Sequence, residues 1–122
     1  MDDAQKSLEQ VKAVYTEGVA EINGTSYTYS KFTHEERLGV FAFYTSLIKN
    51  QATGEVRMDF WDEPRFRAVE KLVNQKVLVD GVQISKIPGY WEQEENMDDY
   101  LPLMMLSLQV ITYPFLRGRL GK

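Results

Sequence analysis

The sequence predicts an α+β domain that is mainly helical, with about four helices and two short β-hairpins in a single compact unit. Three observations predict it. Apolar residues recur at helical spacing in four separate segments. Two turn dipeptides, Asn23-Gly24 and Asp80-Gly81, each separate short runs of strand-forming residues. The chain has 122 residues, which suits one domain able to bury a core without staples.

The first helix is expected over residues 2–17. Asp2 and Asp3 suit a helix N-terminus, Leu8, Val11 and Tyr15 make a narrow stripe, and Gly18 can end it. A hairpin follows, with Val19 to Ile22, the Asn23-Gly24 turn, and Thr25 to Ser30. In its second strand Tyr27 and Tyr29 share one side. Thr33 and Glu36 have capping-box spacing, and Phe32 can staple onto the Arg37 stem or Leu38. The helix they open runs to about Asn50. Leu38, Val40, Phe41, Ala42, Phe43, Tyr44, Leu47 and Ile48 cover most of its circumference, so it reads as the central core helix. Gly39 inside it suggests a close helix crossing.

Gln51 to Gly54 reads as a loop. A third helix is expected over Glu63 to Gln75, capped by Asp62, with Pro64 in its first turn and Phe66, Val69, Leu72 and Val73 inward. Val77 to Val79 and Val82 to Ile84 flank Asp80-Gly81 as the second hairpin. Five carboxylates crowd Glu92 to Asp99, and the last helix is expected to start near Asn96. Pro102 should kink or restart it and Pro114 should end it.

The seventeen residues from Tyr100 to Leu116 carry no charge. Leu101, Met104, Met105, Leu108 and Ile111 make one apolar face; Leu103, Leu106, Val110 and Tyr113 make a second. A surface helix needs only one. The second face is therefore the candidate partner-binding groove, with Met104 and Met105 as an adaptable fringe. Tyr90 and Trp91, after Pro88-Gly89, are a candidate surface anchor or a lid on the core.

The net charge of −4 argues against broad nucleic-acid binding. Arg117, Arg119 and Lys122 form a basic C-terminal tail (117–122), and the N-terminus is expected to be short and flexible. No cysteine is present, which removes disulfides, thiol nucleophiles and thiolate metal sites. The N-terminus lacks the pattern of a secretory signal, and the terminal apolar run is too short and too polar to span a bilayer. A cytoplasmic location is expected, with no membrane partner. His34 is the only histidine, at a helix start, with no oriented acid or nucleophile beside it in sequence. The carboxylates of 92–99 lack the calcium-loop spacing, and no phosphate-binding glycine loop occurs. No cofactor, metal or catalytic set is expected.

Glu21-Ile22-Asn23-Gly24, the strand Thr25 to Ser30, and Thr33-His34-Glu35-Glu36-Arg37-Leu38 opening an apolar helix resemble the start of tail assembly chaperones of long-tailed, siphovirus-like bacteriophages. The Leu/Met-rich segment from Asn96 to Leu116, ending in Tyr113-Pro114-Phe115, is compatible with it. The resemblance implies a small non-enzymatic protein of the infected host's cytoplasm. Such proteins coat the long helical tape-measure protein until tube subunits replace them, and they self-associate as homo-oligomers. Two other readings stand beside it: a small acidic inhibitor or adaptor that docks Glu92 to Asp99 on a basic site, and a structural virion or connector subunit.

Overall fold

A computed structural model describes residues 3–50, 52–53 and 55–120, with the side chains of 8–50, 52–53 and 55–117. The elements are α1 (Asp3–Glu17), β1 (Val19–Ile22), β2 (Thr25–Tyr29), α2 (His34–Leu47), β3 (Ile48–Asn50), β4 (Glu55–Val56), α3 (Pro64–Lys76), β5 (Val77–Val79), β6 (Val82–Gln83) and α4 (Glu94–Leu120). Two short 3-10 turns, Ile84–Lys86 and Tyr90–Glu92, lie between β6 and α4. The domain is α+β and mainly helical, as the sequence predicts.

Local chemistry sets the boundaries. Gly18 takes φ +76°, and its N–H bonds the Val14 carbonyl at 2.7 Å, closing α1 in the left-handed conformation. Asn23 and Gly24 take φ of 51° and 85°, the double-positive geometry of a type I′ turn; Asp80 and Gly81 repeat it. The box at α2 forms in both directions. Thr33 Oγ1 accepts from the Glu36 N–H at 3.1 Å, and the Glu36 carboxylate accepts from the Thr33 N–H at 2.8 Å. That bond holds the Glu36 carboxyl below its ordinary pKa. Phe32 meets Arg37 through the guanidinium, which stands 5.6 Å from its ring centroid, and Leu38 stays exposed.

Several boundaries differ from expectation. The two predicted hairpins join into one antiparallel sheet of order β1-β2-β5-β6, because Thr28 and Tyr29 pair with Leu78 and Val77. A third hairpin, β3-β4, replaces the end of the long second helix; β-branched Ile48 and Val56 pair across it. The cap of α3 is Glu63, with Pro64 as its first residue, so Asp62 stays outside. Helix α4 begins at Glu94, not Asn96, and runs through both prolines to Leu120. Each proline removes one helical donor, yet neighbouring turns and tertiary packing hold the rod. Phe115, just past Pro114, seats its ring edge-on against Phe41 at 5.2 Å. The expected basic tail is therefore helix through residue 120, while residues 1–2 and 121–122 lie outside the described ones.

Helix α2 is one-sided rather than buried all round. Val40, Phe43, Tyr44 and Leu47 face inward; Leu38 and Ala42 are exposed. The close crossing expected at Gly39 is absent: a methyl group there would meet nothing within 4 Å. Replacing Gly39 with Ala should therefore stabilise the protein by up to about 1 kcal/mol, the helix-propensity difference alone. Urea unfolding of the two proteins measures it; destabilisation would mean that α2 is packed more tightly there than the structure has it.

The interior divides into two clusters, and α4 lies between them. The main core gathers Val40, Phe43 and Leu47 of α2, Phe66, Val69 and Val73 of α3, Leu103, Met104, Leu108 and Ile111 of α4, and Tyr27 and Val77 of the sheet. The smaller one joins Val11 and Val14 of α1 and Ala20 of β1 to Leu106 and Val110 of α4.

Two tyrosines tie β2 to α4. The Tyr29 hydroxyl bonds Ser107 at 2.7 Å, and burial raises its pKa to about 12 from 10.0 in spite of that bond. A raised folded-state pKa keeps the proton on in the native state. Its stabilisation is whole below pH 10 and is lost as pH climbs from 10 towards 12. Unfolding free energy should thus hold steady to about pH 10 and then fall, and Tyr29→Phe should shallow that fall when urea titrations are repeated up the pH scale.

Candidate functional site

The groove expected on the second face of α4 is closed. Leu103 is wholly buried in the main core, while Leu106 and Val110 keep 8% and 4% of their surface beneath α1. Tyr113 is half-buried with its ring 5.0 Å from Tyr15. Met104 is buried at 1% and Met105 packs half-buried against the same core, so neither forms an adaptable fringe. The narrow stripe of α1 is what covers this face. The sequence shows only the narrow stripe Leu8, Val11 and Tyr15 there, yet Val11 and Val14 are both buried against α4. The apolar surplus that suggested a homo-oligomer is covered within one chain.

The Tyr90-Trp91 pair splits. Tyr90 is core, its hydroxyl 2.8 Å from that of Tyr27. Trp91 lies half-buried at the surface, its indole N–H donating to Asn74 at 3.0 Å. It forms one wall of an open cleft of about 490 Å³ lined by Trp61, Arg67, Glu70, Trp91, Met97, Tyr100 and Leu101. Both tryptophans of the chain stand here. The Tyr100 ring meets Trp91 edge-on at 5.1 Å and Trp61 at 6.5 Å. Its hydroxyl donates to Glu70; burial first, and that carboxylate second, raise the Tyr100 pKa. Arg67 completes the floor, 3.0 Å from the other Glu70 oxygen.

Two large apolar side chains on the cleft face solvent: Met97 is 50% exposed and Leu101 53%. Leu101 was expected in the core. The cause is Asp99. One of the five carboxylates that crowd residues 92–99, it is only 1% exposed. Asn23 Nδ2 donates to its Oδ1 at 2.7 Å, and the Tyr27 hydroxyl donates to its Oδ2 at 2.6 Å. Tyr27 thereby uses its single proton, so Tyr90 donates to the Tyr27 oxygen across 2.8 Å. Burial, then the bond to Asp99, pushes the Tyr27 pKa far up and keeps that proton in place. Residues two apart on a helix lie about 200° apart around its axis. With Asp99 held inward, Met97 and Leu101 must both point out.

This inversion of polar-out, apolar-in sits where the sequence shows carboxylates next to Met97 and Leu101 at i, i+4 spacing. That spacing was the available signal for the site. Trp61 and Met97 were missed because they lie outside the Tyr100 to Leu116 segment that drew attention, and Tyr100 and Leu101 because that segment was read as apolar from its first residue.

Among the described residues no group of three or more His, Asp or Glu is placed to hold a metal ion, and no helix is long and apolar enough to cross a membrane. His34 is exposed, its ring edge-on to Phe115 at 5.8 Å. No protein-family model, curated protein or solved structure matches the chain.

The two kinds of apolar residue on α4 should answer differently to a charge. Leu106→Asp or Val110→Asp buries a carboxylate without partners and should cost several kcal/mol, enough to unfold a domain of this size. Leu101→Asp should shift stability by no more than about 0.5 kcal/mol, because the side chain already meets water. Thermal melts by circular dichroism separate the cases; equal losses at all three positions would place Leu101 in the core.

Proposed function

We propose that this protein is a non-enzymatic assembly chaperone that holds an apolar helical segment of another protein in the cleft of Trp61, Trp91, Met97, Tyr100 and Leu101. One observation carries the reading: a buried, hydrogen-bonded Asp99 turns two large apolar side chains outward beside both tryptophans. Exposed apolar surface of this kind, with aromatic walls and a polar rim, suits an amphipathic helix laid in a groove. Trp and Tyr supply large rigid contact area, and Met97 at the edge adapts to differing clients. The family resemblance of residues 21–38 points the same way, to a client like the tape-measure protein, long, helical and partly apolar. In this reading the client meets the N-terminal turns of α4, not its Leu106–Val110 face, and self-association is not required.

The test uses the chain's own fluorescence, since its only two tryptophans border the cleft. A synthetic amphipathic helix of Leu and Gln should shift and brighten their emission in a saturable way. The double variant Met97→Gln, Leu101→Gln should bind at least about tenfold more weakly, the loss of two apolar contacts, while its melt stays close to wild type. A tape-measure-like client, insoluble alone, should stay soluble when co-expressed with the wild type and not with the variant. Binding that ignores both substitutions would overturn the reading.

A further inference from the structure

We propose that the partner segment is cationic: a helix carrying Lys or Arg along one flank of its apolar stripe, seated with the stripe on Met97 and Leu101. This rests on the reading of the cleft as the client site and adds the chemistry of what fills it. Glu94, Met97, Asp98 and Leu101 follow i, i+3, i+4, i+7 spacing and so share one face of α4. All four are exposed. The apolar pair thus has an acidic frame on one side, made by Glu94 and Asp98 with exposed Glu95 in the same first turns of α4 and exposed Glu92 just before it. Among the described residues Arg67 is the one cation lining the cleft, and it is already paired with Glu70 at 3.0 Å. The chain's net charge of −4 adds a long-range pull of the same sign.

The frame has a plain structural use as well, since Glu94 and Glu95 complement the positive end of the α4 dipole. That use explains neither Asp98, a full turn further on, nor the two exposed apolar residues beside it. An acidic partner, or a second copy of this acidic chain, would set like charges against each other around the same contact.

Three synthetic helices of one length and one leucine stripe, with Lys, Gln or Glu as the polar residue, discriminate when titrated against tryptophan emission. The Lys helix should bind roughly tenfold more tightly than the Gln helix in low salt, with the gap closing as salt rises, and the Glu helix should bind least. Replacing Glu92, Glu94 and Glu95 by Gln and Asp98 by Asn should erase the preference while Gln-helix binding persists. Leu101→Glu separates seating from mere attraction: it adds a negative charge, so attraction alone would tighten the Lys helix, whereas seating on Leu101 requires it to weaken. Equal binding of the Lys and Gln helices overturns the cationic partner and leaves the cleft reading standing. If no helix binds, both fall. A dimer that Leu101→Glu dissolves in sedimentation experiments would assign the cleft to a second copy, and would also overturn the proposal.

Discussion

The fold depends on burying α4 from two sides at once. A long helix with Leu103, Met104, Leu108 and Ile111 on one side and Leu106 and Val110 on another cannot be covered by a single neighbour. Helices α2 and α3 with the sheet take the first side, and α1 takes the second. The polar residues on the rod are satisfied in place. Ser107 bonds Tyr29, and the Thr112 hydroxyl donates to the Leu108 carbonyl within the helix. Arg37 reaches from α2 to the Ile111 carbonyl at 2.8 Å and stacks over Tyr15 of α1 at 5.6 Å. One side chain thereby joins the three helices that meet at this point. No buried polar side-chain atom among the described residues lacks a partner, so the apolar rod is enclosed without a polar cost left standing.

What could be read in the sequence follows from how local each determinant is. The Asn23-Gly24 and Asp80-Gly81 turns, the Thr33–Glu36 box, the Gly18 stop and the stripe of α3 are set within a few residues, and each was legible. The union of two hairpins into one sheet was not, because β2 and β5 are brought side by side by helices that intervene in sequence. Gly39 misled for a related reason. Its open surroundings follow from where α3 lies, which no feature of α2 announces. The run through Pro102 and Pro114 likewise depends on tertiary contacts such as Phe115 on Phe41.

The candidate site was legible only in its parts. Periodicity identified two apolar faces on the last helix and correctly required two coverings. It could not say that α1 supplies the second, since a stripe as narrow as Leu8, Val11 and Tyr15 looks insufficient until Val14 and the neighbouring Ala20 and Tyr113 are added. Tyr90 and Trp91, adjacent in sequence, part because a 3-10 turn sends their side chains in different directions. One finds Tyr27 and the interior; the other finds Asn74 and the surface.

Asp99 and the residues two before and two after it put a local choice in conflict with the usual burial preference. A buried carboxylate held by neutral donors is weak evidence of stabilisation, since its desolvation offsets much of what its hydrogen bonds return. Rotating the first turns of α4 by half a revolution would wet Asp99 and hide Met97 and Leu101, which hydrophobic burial alone favours. The helix is held the other way by Asn23 at the tip of a turn, by Tyr27 and by the Tyr90 hydroxyl behind it, three groups from two separate segments. The net effect is an apolar pair presented to solvent beside two indoles. Conflicts of this kind collect where a protein keeps surface available for something else, and here the apolar pair stays in water while Leu103, Met104, Leu106, Leu108, Val110 and Ile111 of the same helix are buried.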